Sequence, residues 1–260
     1  AFLAPSTSPC STTRAFVPLT IYSSYPVTFP TTTAHPQAIA AKELMLGFFS
    51  RMVRKTPWVR VKIAASLDGK TALNNGQSQW ITSPAARDDG HFWRARAGAI
   101  LTGVGTVLAD DPLLNVRVSK NDNTSTSRQP PLVIVDSQLR TPVDAKLFAI
   151  NSIAPQAINA QARVIFIYTN SSDTAKIAAL EAKGATVIQL PTDDENVLVN
   201  LSAMLQDLAQ REVNDLHVEA GATLNGALMA AGLVDEFLVY LSPKLLGPGR
   251  SMLEVPALND

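Results

Sequence analysis

The sequence contains very little cysteine and no excess of either charge. Cys10 is the only cysteine among 260 residues, so neither a disulfide framework nor a zinc site built from cysteines fits within one chain. Lysine plus arginine equals aspartate plus glutamate, at 22 residues each. This balance gives no electrostatic reason to expect nucleic acid or an anionic membrane as a partner. We expect no metal site, no nucleic acid and no membrane.

Long hydrophobic runs are also missing, and none is long enough to span a bilayer. Apolar residues nevertheless make up 46% of the chain, which is enough for a sizeable core. The length allows one large domain, or one domain with extensions.

Residues 1–40 lack acidic side chains and hold one lysine or arginine, Arg14. They are rich in serine, threonine and proline, and six prolines preclude a long helix. Such a composition is typical of an organelle transit peptide, and equally of a disordered tail with no targeting function. The run from Ala1 to Pro5 resembles the Ala-Phe-Ala-Pro cleavage motif of plastid-targeted proteins, which implies a plastid location. We predict a disordered tail over 1–40, a linker helix over 41–57 and one domain over 58–260.

From Trp58 onward, strand-like segments alternate with helix-like segments. This alternation indicates a single α/β domain. Helices are predicted to begin at Ser83–Pro84, which combine a cap with a proline at the first helical position, and to cover 174–183 and 196–211. Strands are predicted over 58–65, 71–73, 99–102, 132–136, 163–168, 186–190, 216–219 and 236–241.

The stretch from Leu216 to Leu228 reads as a buried strand that ends on Glu219, then a glycine turn and a helix start. Gly221 lets the backbone turn tightly and approach a ligand, and Thr223 or Asn225 could cap the helix. The first N–H groups of such a helix attract a phosphate. Taken alone, the stretch fits an ordinary strand-to-helix connection better.

Two glycines, Gly103 and Gly105, follow the strand predicted over 99–102. They suggest that the backbone approaches a phosphate-bearing ligand closely, although the full G-x-G-x-x-G fingerprint is absent and the signal is weak. Arg94 lies late in the helix that begins at Ser83, where the helix dipole stabilises a cation.

Five ordered segments together resemble the reductase domain of riboflavin biosynthesis, which in bacteria is the carboxyl half of a bifunctional deaminase-reductase. The resemblance covers about residues 47–253. It implies a dihydrofolate-reductase-like α/β fold, a twisted, mostly parallel sheet with helices on both faces, and a homodimer. It also implies NADPH-dependent reduction of 5-amino-6-(5-phosphoribosylamino)uracil to the ribitylamino compound. The matching segments are 62–72, 78–83, 106–112, 218–221 and 242–247.

The resemblance also implies which residues form the site. It assigns catalysis to Asp110 and Glu219. It places substrate contacts on Ser78, Arg94, Leu114, Arg117 and Glu219. It places NADPH contacts on Ala64, Trp80, Thr106, Asp110, Ser137, Gly221, Ala222, Thr223, Leu224, Asn225, Gly226 and Ala227.

The residue types suit these roles, and each also has a plainer interpretation. Arg94 and Arg117 match a sugar phosphate, because the planar guanidinium pairs with phosphate oxygens. Trp80 could lie against nicotinamide or pack in its loop. Asp110 could steer a proton or cap Pro112 and Leu113. Ser137, with Arg140, could meet an adenosine 2′-phosphate, or Arg140 could be a solvated charge.

Two departures from the family pattern affect the prediction. A zinc deaminase needs an H-x-E segment followed by P-C-x-x-C, and this order is missing, since Pro9-Cys10 has no second cysteine and no matching histidine. The family also continues past the position of Asp260 with a strand pair, so a sheet edge is expected to be unpaired and dimerisation weakened. Two alternatives remain: a dihydrofolate-type reductase, and a catalytically silent domain that binds a nucleotide or a partner.

Overall fold

The computed structural model describes residues 19–22, 45–78, 81–117, 128–149, 163–190 and 198–255. Its strands are β1 (Leu19–Tyr22), β2 (Trp58–Ser66), β3 (Lys70–Leu73), β4 (Ala99–Gly103), β5 (Leu132–Val135), β6 (Ile165–Thr169), β7 (Ala185–Gln189), β8 (Asp215–Val218), β9 (Glu236–Ser242) and β10 (Gly249–Ser251). Its helices are α1 (Leu46–Phe49), α2 (Pro84–Arg96), α3 (Val104–Asp110), α4 (Thr174–Glu181), α5 (Leu201–Gln210) and α6 (Ala222–Ala230), with a π-helical turn at Ser50–Arg54 and a 3-10 turn at Lys146–Phe148.

Eight strands form one sheet in the order β1-β9-β2-β8-β4-β5-β6-β7. Among the described strands of this sheet, all neighbours from β9 to β7 run parallel, and β1 is antiparallel to β9. The carboxyl ends of β2, β4 and β8 therefore meet at one edge, where an open α/β sheet places its ligand.

The alternation of side chains along β2 separates the two faces of the sheet. Val59, Val61 and Ile63 join a core cluster that includes side chains of α5 and α6. Ala64 lies on the opposite face, where Trp93 of α2 packs against the strands. Residues of α3 and α4 belong to a further cluster with β5 and β6. Helices thus cover both faces, as predicted.

Helix α2 begins where the sequence predicts it. The side chain of Ser83 accepts a hydrogen bond from the backbone N–H of Ala86 at 3.3 Å, and Pro84 takes the first helical position. The linker helix occupies only 46–54 among the described residues, and Lys55 ends its π-helical turn in the left-handed region at a φ of 61°.

Two predicted helix starts are wrong. The helix predicted from residue 196 begins at Leu201, because the Asn200 side chain caps it by accepting from Ala203 N–H at 3.0 Å. Helix α6 is capped by neither Thr223 nor Asn225. Gly221 takes the cap position without a side-chain bond, which leaves both side chains inside the helix.

Strand β1 lies within the segment that was expected to be a disordered tail. Leu19–Tyr22 pair with Glu236–Val239 of β9, in the register Leu19 to Val239. The expectation is therefore wrong for these four residues, which use the outer hydrogen-bonding edge of β9. Residues 1–18 and 23–44 lie outside the described part. In the ranges that are described, no helix is long and apolar enough to cross a bilayer.

Candidate active site

A cavity of about 740 Å³ opens at the carboxyl ends of β2, β4 and β8. The amino-terminal turns of α3 and α6 form one side of it. At Gly105 a Cβ atom would meet nothing within 4 Å, and at Gly221 the nearest atom, Thr106 Oγ1, would be 4.0 Å away. Both glycines therefore leave open space beside a helix start, which is the environment that suits a phosphate.

The small two-stranded sheet of β3 and β10 forms the opposite side of the large cavity. Asp68 links the turn between β2 and β3 to the segment between β9 and β10. Its carboxylate accepts from the Ser66 hydroxyl at 2.6 Å and from Gly247 N–H at 2.7 Å. These hydrogen bonds lower the pKa of Asp68 to about 2, the bond from Ser66 contributing most. This sheet brings Arg250 to the cavity wall.

A second cavity of about 140 Å³ adjoins the first beneath α2. Lys62, Ala64, Arg94 and Glu219 line both cavities. The smaller cavity has a strongly cationic lining, because Arg87 and Arg117 join Lys62 and Arg94 there, and His91 lines it as well.

Arg94 and Glu219 form a bidentate ion pair at the junction of the two cavities. Arg94 Nε donates to Glu219 Oε1 at 2.7 Å, and Arg94 Nη2 donates to Oε2 at 2.8 Å. Burial alone would raise the pKa of Glu219, but the charge and hydrogen bonds of Arg94 hold that pKa well below its usual range. Glu219 is therefore a carboxylate throughout the ordinary pH range and cannot act as a proton donor in this arrangement.

The same pairing occupies most of the Arg94 guanidinium. Its Nη1 donates to the backbone oxygen of Asn115 at 2.7 Å, in addition to the two bonds to Glu219. All three guanidinium nitrogens of Arg94 thus donate hydrogen bonds to other protein atoms, whereas Arg117 is exposed at the smaller cavity.

His91 lies between the two arginines. Its Nε2 accepts from Arg117 Nε at 3.2 Å, and its Nδ1 is 3.4 Å from Arg94 Nη1. Burial first, and then the charges of Arg94 and Arg117, lower the pKa of His91 to about 4. A neutral ring can accept from Arg117, so His91 orients that side chain without adding charge.

His217 lies behind Glu219 on the same face of β8. Its Nε2 is 3.6 Å from Glu219 Oε1, and its side chain is only 1% exposed. Neither ring nitrogen has a hydrogen-bond partner among the described residues. Burial is the main cause that lowers the pKa of His217 to about 4, and Glu219 opposes the shift.

Most of the site residues implied by the resemblance converge on these cavities. Arg117 lines the smaller cavity, and Trp80 lies outside the described residues. The larger cavity is lined by Ala64, Ser78, Arg94, Thr106, Asp110, Leu114, Glu219, Gly221, Ala222, Thr223, Leu224 and Asn225.

Three assigned cofactor residues do not line either cavity: Ser137, Gly226 and Ala227. The Ser137 hydroxyl accepts from Val199 N–H at 3.0 Å and so has a structural partner beyond the carboxyl end of β5. Gly226 faces the backbone of residue 254, where a Cβ atom would lie 1.8 Å from the Glu254 carbonyl oxygen. The lack of a side chain at Gly226 allows the chain segment around residue 254 to pack against α6. The NADPH contacts of all three residues stay predictions.

Several lining residues were not singled out from the sequence as site residues. Lys62 could have been found, because it shares the polar face of β2 and lies two residues before Ala64. The positions of His91, Arg250 and Glu254 depend on contacts between distant segments. No group of three or more histidine, cysteine or acidic side chains able to hold a metal occurs in the described ranges.

A parallel sheet covered on both faces, with a ligand cavity at its carboxyl edge between two helix starts, defines a dihydrofolate-reductase-like α/β protein. The chain belongs to the RibD C-terminal domain family, whose model matches residues 57–259. The family and fold class implied by the sequence motifs are thereby confirmed.

Known relatives are consistent with this membership. The chain is 39% identical over 228 residues to the riboflavin biosynthesis protein RibD of Escherichia coli (strain K12), covering 84% of this chain and 57% of that protein. It is 34% identical over 177 residues to the 5-amino-6-(5-phosphoribosylamino)uracil reductase of Buchnera aphidicola subsp. Acyrthosiphon pisum, covering 67% of this chain and 80% of that protein.

The solved structure of Acinetobacter baumannii RibD, form 1, superimposes with a TM-score of 0.70 at 35% identity, covering 86% of this chain and 56% of that one. The chain therefore spans little more than half the length of the RibD proteins that it matches.

Proposed function

We propose that this chain is an oxidoreductase that uses NADPH to reduce 5-amino-6-(5-phosphoribosylamino)uracil to 5-amino-6-(5-phosphoribitylamino)uracil. The observation that carries the proposal is the junction of two cavities: a large one at two helix starts, and a small cationic one that shares Arg94 and Glu219 with it. This arrangement suits a dinucleotide placed next to a sugar phosphate. The Buchnera relative named for this reaction supports the choice of substrate.

NADPH fits the larger cavity because no side chain covers the backbone at Gly105 and Gly221, where α3 and α6 begin. Gly105 and Gly221 leave room for a pyrophosphate beside unpaired N–H groups, and Thr106 offers a hydroxyl between them. Asn225 adds a buried polar atom, since its Oδ1 has no partner among the described residues. When bound, NADPH supplies a hydride to C1′ of the opened ribose.

The substrate phosphate fits the smaller cavity. Arg117 is an exposed arginine at this cavity, and His91 holds its side chain by accepting a hydrogen bond from its Nε. Arg94 contributes through Glu219, because its bidentate pair fixes that carboxylate where both cavities meet. The resemblance assigned Arg94 directly to the substrate; in this geometry its main role is to orient Glu219.

Glu219 provides a fixed negative charge next to the reacting carbon. Such a charge stabilises positive charge that develops on an imine form of the substrate. Asp110 ends α3 at the wall of the larger cavity and is exposed, so it can relay a proton from water to the nitrogen or oxygen bonded to C1′ as the carbon accepts the hydride. Lys62 places an ammonium group between the two cavities, able to bind an oxygen atom of the ligand.

The test is NADPH oxidation by the purified chain with three substrates offered separately. We expect loss of NADPH absorbance with the deaminated ribosylaminopyrimidine, and none with its undeaminated precursor or with dihydrofolate. Turnover of dihydrofolate would favour the pterin alternative. Binding of NADPH without turnover of any of the three would favour a catalytically silent domain.

Location and assembly are further parts of the proposal. The composition of residues 1–40 and the resemblance of Ala1–Pro5 to a plastid cleavage motif support a plastid protein. A fluorescent fusion of the amino-terminal segment would test the location. The family supports a homodimer, which light scattering of the purified chain would test.

A further inference from the structure

The chain segment after β10 crosses the start of helix α6. Met252 N–H donates to the Gly69 carbonyl at 3.1 Å, and Glu254 N–H donates to the Ala222 carbonyl at 3.1 Å. Gly226 permits this close approach, because any Cβ there would overlap the Glu254 carbonyl. The backbone of the segment is therefore fixed against the first turns of α6.

This path places a carboxylate at the amino-terminal turn of the helix. Glu254 Oε2 accepts from the Thr223 hydroxyl at 2.7 Å, and Thr223 is the second residue of α6. Glu254 lines the larger cavity together with Gly221, Ala222 and Thr223. A negative group in this position is favourable, because unpaired N–H groups give the helix start a partial positive charge.

A second feature indicates that a ligand belongs at the same turn. Asn225 is 2% exposed, and it lines the larger cavity. Its Nδ2 donates to the Ala220 carbonyl at 3.2 Å, while its Oδ1 has no partner among the described residues. Buried polar atoms are almost always satisfied, so a donor of the ligand fits this acceptor. A phosphate cannot donate, but a hydroxyl of the ribose attached to it can.

We propose that Glu254 is a built-in competitor for the cofactor's phosphate position, and that NADPH binds only as the Glu254 side chain turns away from Thr223. This inference rests on the proposed function. Glu254 and the pyrophosphate are both anions, and both use the start of α6. The residue weakens NADPH binding and makes its affinity depend on salt. The backbone bond to Ala222 does not involve the side chain, so the carboxylate can swing out while the segment stays in place.

The test is calorimetric titration of NADPH into the wild type, Glu254→Gln and Glu254→Lys. Removing the charge is expected to tighten binding about two- to tenfold, the range of a charge acting on a helix start, and Glu254→Lys to tighten it further. The advantage of both variants should shrink at high salt, because salt screens exposed charges. The matched control is Glu181→Gln on α4, an exposed residue that does not line either cavity.

The outcomes separate this inference from the cofactor assignment. Unchanged affinity in the two Glu254 variants overturns the inference while the wild type still binds NADPH. Weaker binding in Glu254→Gln also overturns it, since Glu254 would then be a direct ligand of the cofactor. No heat of binding in the wild type or any variant overturns the NADPH assignment itself, and the inference with it. A cooperative urea transition in each variant establishes that it is folded.

Discussion

Arg94 and Glu219 are separated by 125 residues in sequence and pair through two parallel hydrogen bonds of 2.7 and 2.8 Å. Both side chains are almost buried, with 12% and 13% of their surface exposed. Breaking such a pair from one side leaves an unpaired charge inside the protein. The free energy of unfolding therefore depends on keeping both charges of this pair, or on removing both.

Arg94→Met is expected to destabilise the protein by about 3–5 kcal/mol, because Glu219 would stay buried without its partner. Arg94→Met combined with Glu219→Gln should restore much of this loss, since no unpaired charge remains. Urea denaturation of the single and double variants measures the difference. Additive losses would show that the two side chains do not stabilise each other.

Arg117→Ala is expected to raise KM for the phosphorylated substrate roughly tenfold or more, as a lost charge-assisted contact is worth about 1.5–3 kcal/mol. NADPH affinity should stay unchanged, because Arg117 lines only the smaller cavity. Steady-state kinetics and NADPH titration measure the two effects. Arg96→Ala, on α2 and outside both cavities, serves as the control. An equal loss of cofactor binding would reassign Arg117.

Gly221, which caps the start of α6, and Gly226, in the middle of the helix, are expected to respond differently to substitution. Gly221 has an ordinary φ of −77° and open space around it, so Gly221→Val should fold yet lose NADPH binding as its side chain fills that space. Gly226→Ala should instead unfold more easily, because its Cβ would overlap the Glu254 carbonyl. Thermal melting and NADPH titration distinguish the two. Normal NADPH binding by folded Gly221→Val would move the cofactor elsewhere.

His217 is expected to make the fold sensitive to acid between about pH 6.5 and pH 4. Its pKa falls from 6.5 to about 4 in the folded protein, so on acidification the unfolded chain takes up a proton before the folded one does. Stability is therefore lost as pH drops through this window, by at most about 3 kcal/mol from this group, and the loss stops below the folded pKa.

His217→Leu should flatten that part of the profile, which urea midpoints measured from pH 7 to pH 4 would reveal. His91 has a similarly lowered pKa but is only half-buried, so wild-type acid sensitivity should persist in part in the His217 variant. Identical profiles for the wild type and His217→Leu would show that His217 does not titrate differently on folding.

Local patterns predicted much of the fold. The alternation along β2 indicates both its strand character and its polar face, and Ser83 with Pro84 marks the start of α2. The start of α5 was missed because Leu198 continues the apolar pattern, although it is 71% exposed and precedes the Asn200 cap.

The candidate site could be predicted only as a set of residues. Motifs identified Arg94 and Glu219, but no spacing indicates that they pair with each other across the cavities. The contact between Thr223 and Glu254 likewise arises from the path of the chain after β10. Such contacts depend on how distant segments pack, which local periodicity does not encode.

Strand β1 limits how far the amino end can be shortened without exposing an edge of the sheet. A protease that cuts before Leu19 leaves β9 with its outer neighbour, whereas a cut after Tyr22 exposes the backbone N–H and C=O groups of β9. A bare strand edge pairs readily with other chains, so the shorter product is the one prone to aggregate. Pairing between β1 and β9 thus determines how far the amino end can be shortened before the protein becomes prone to aggregate.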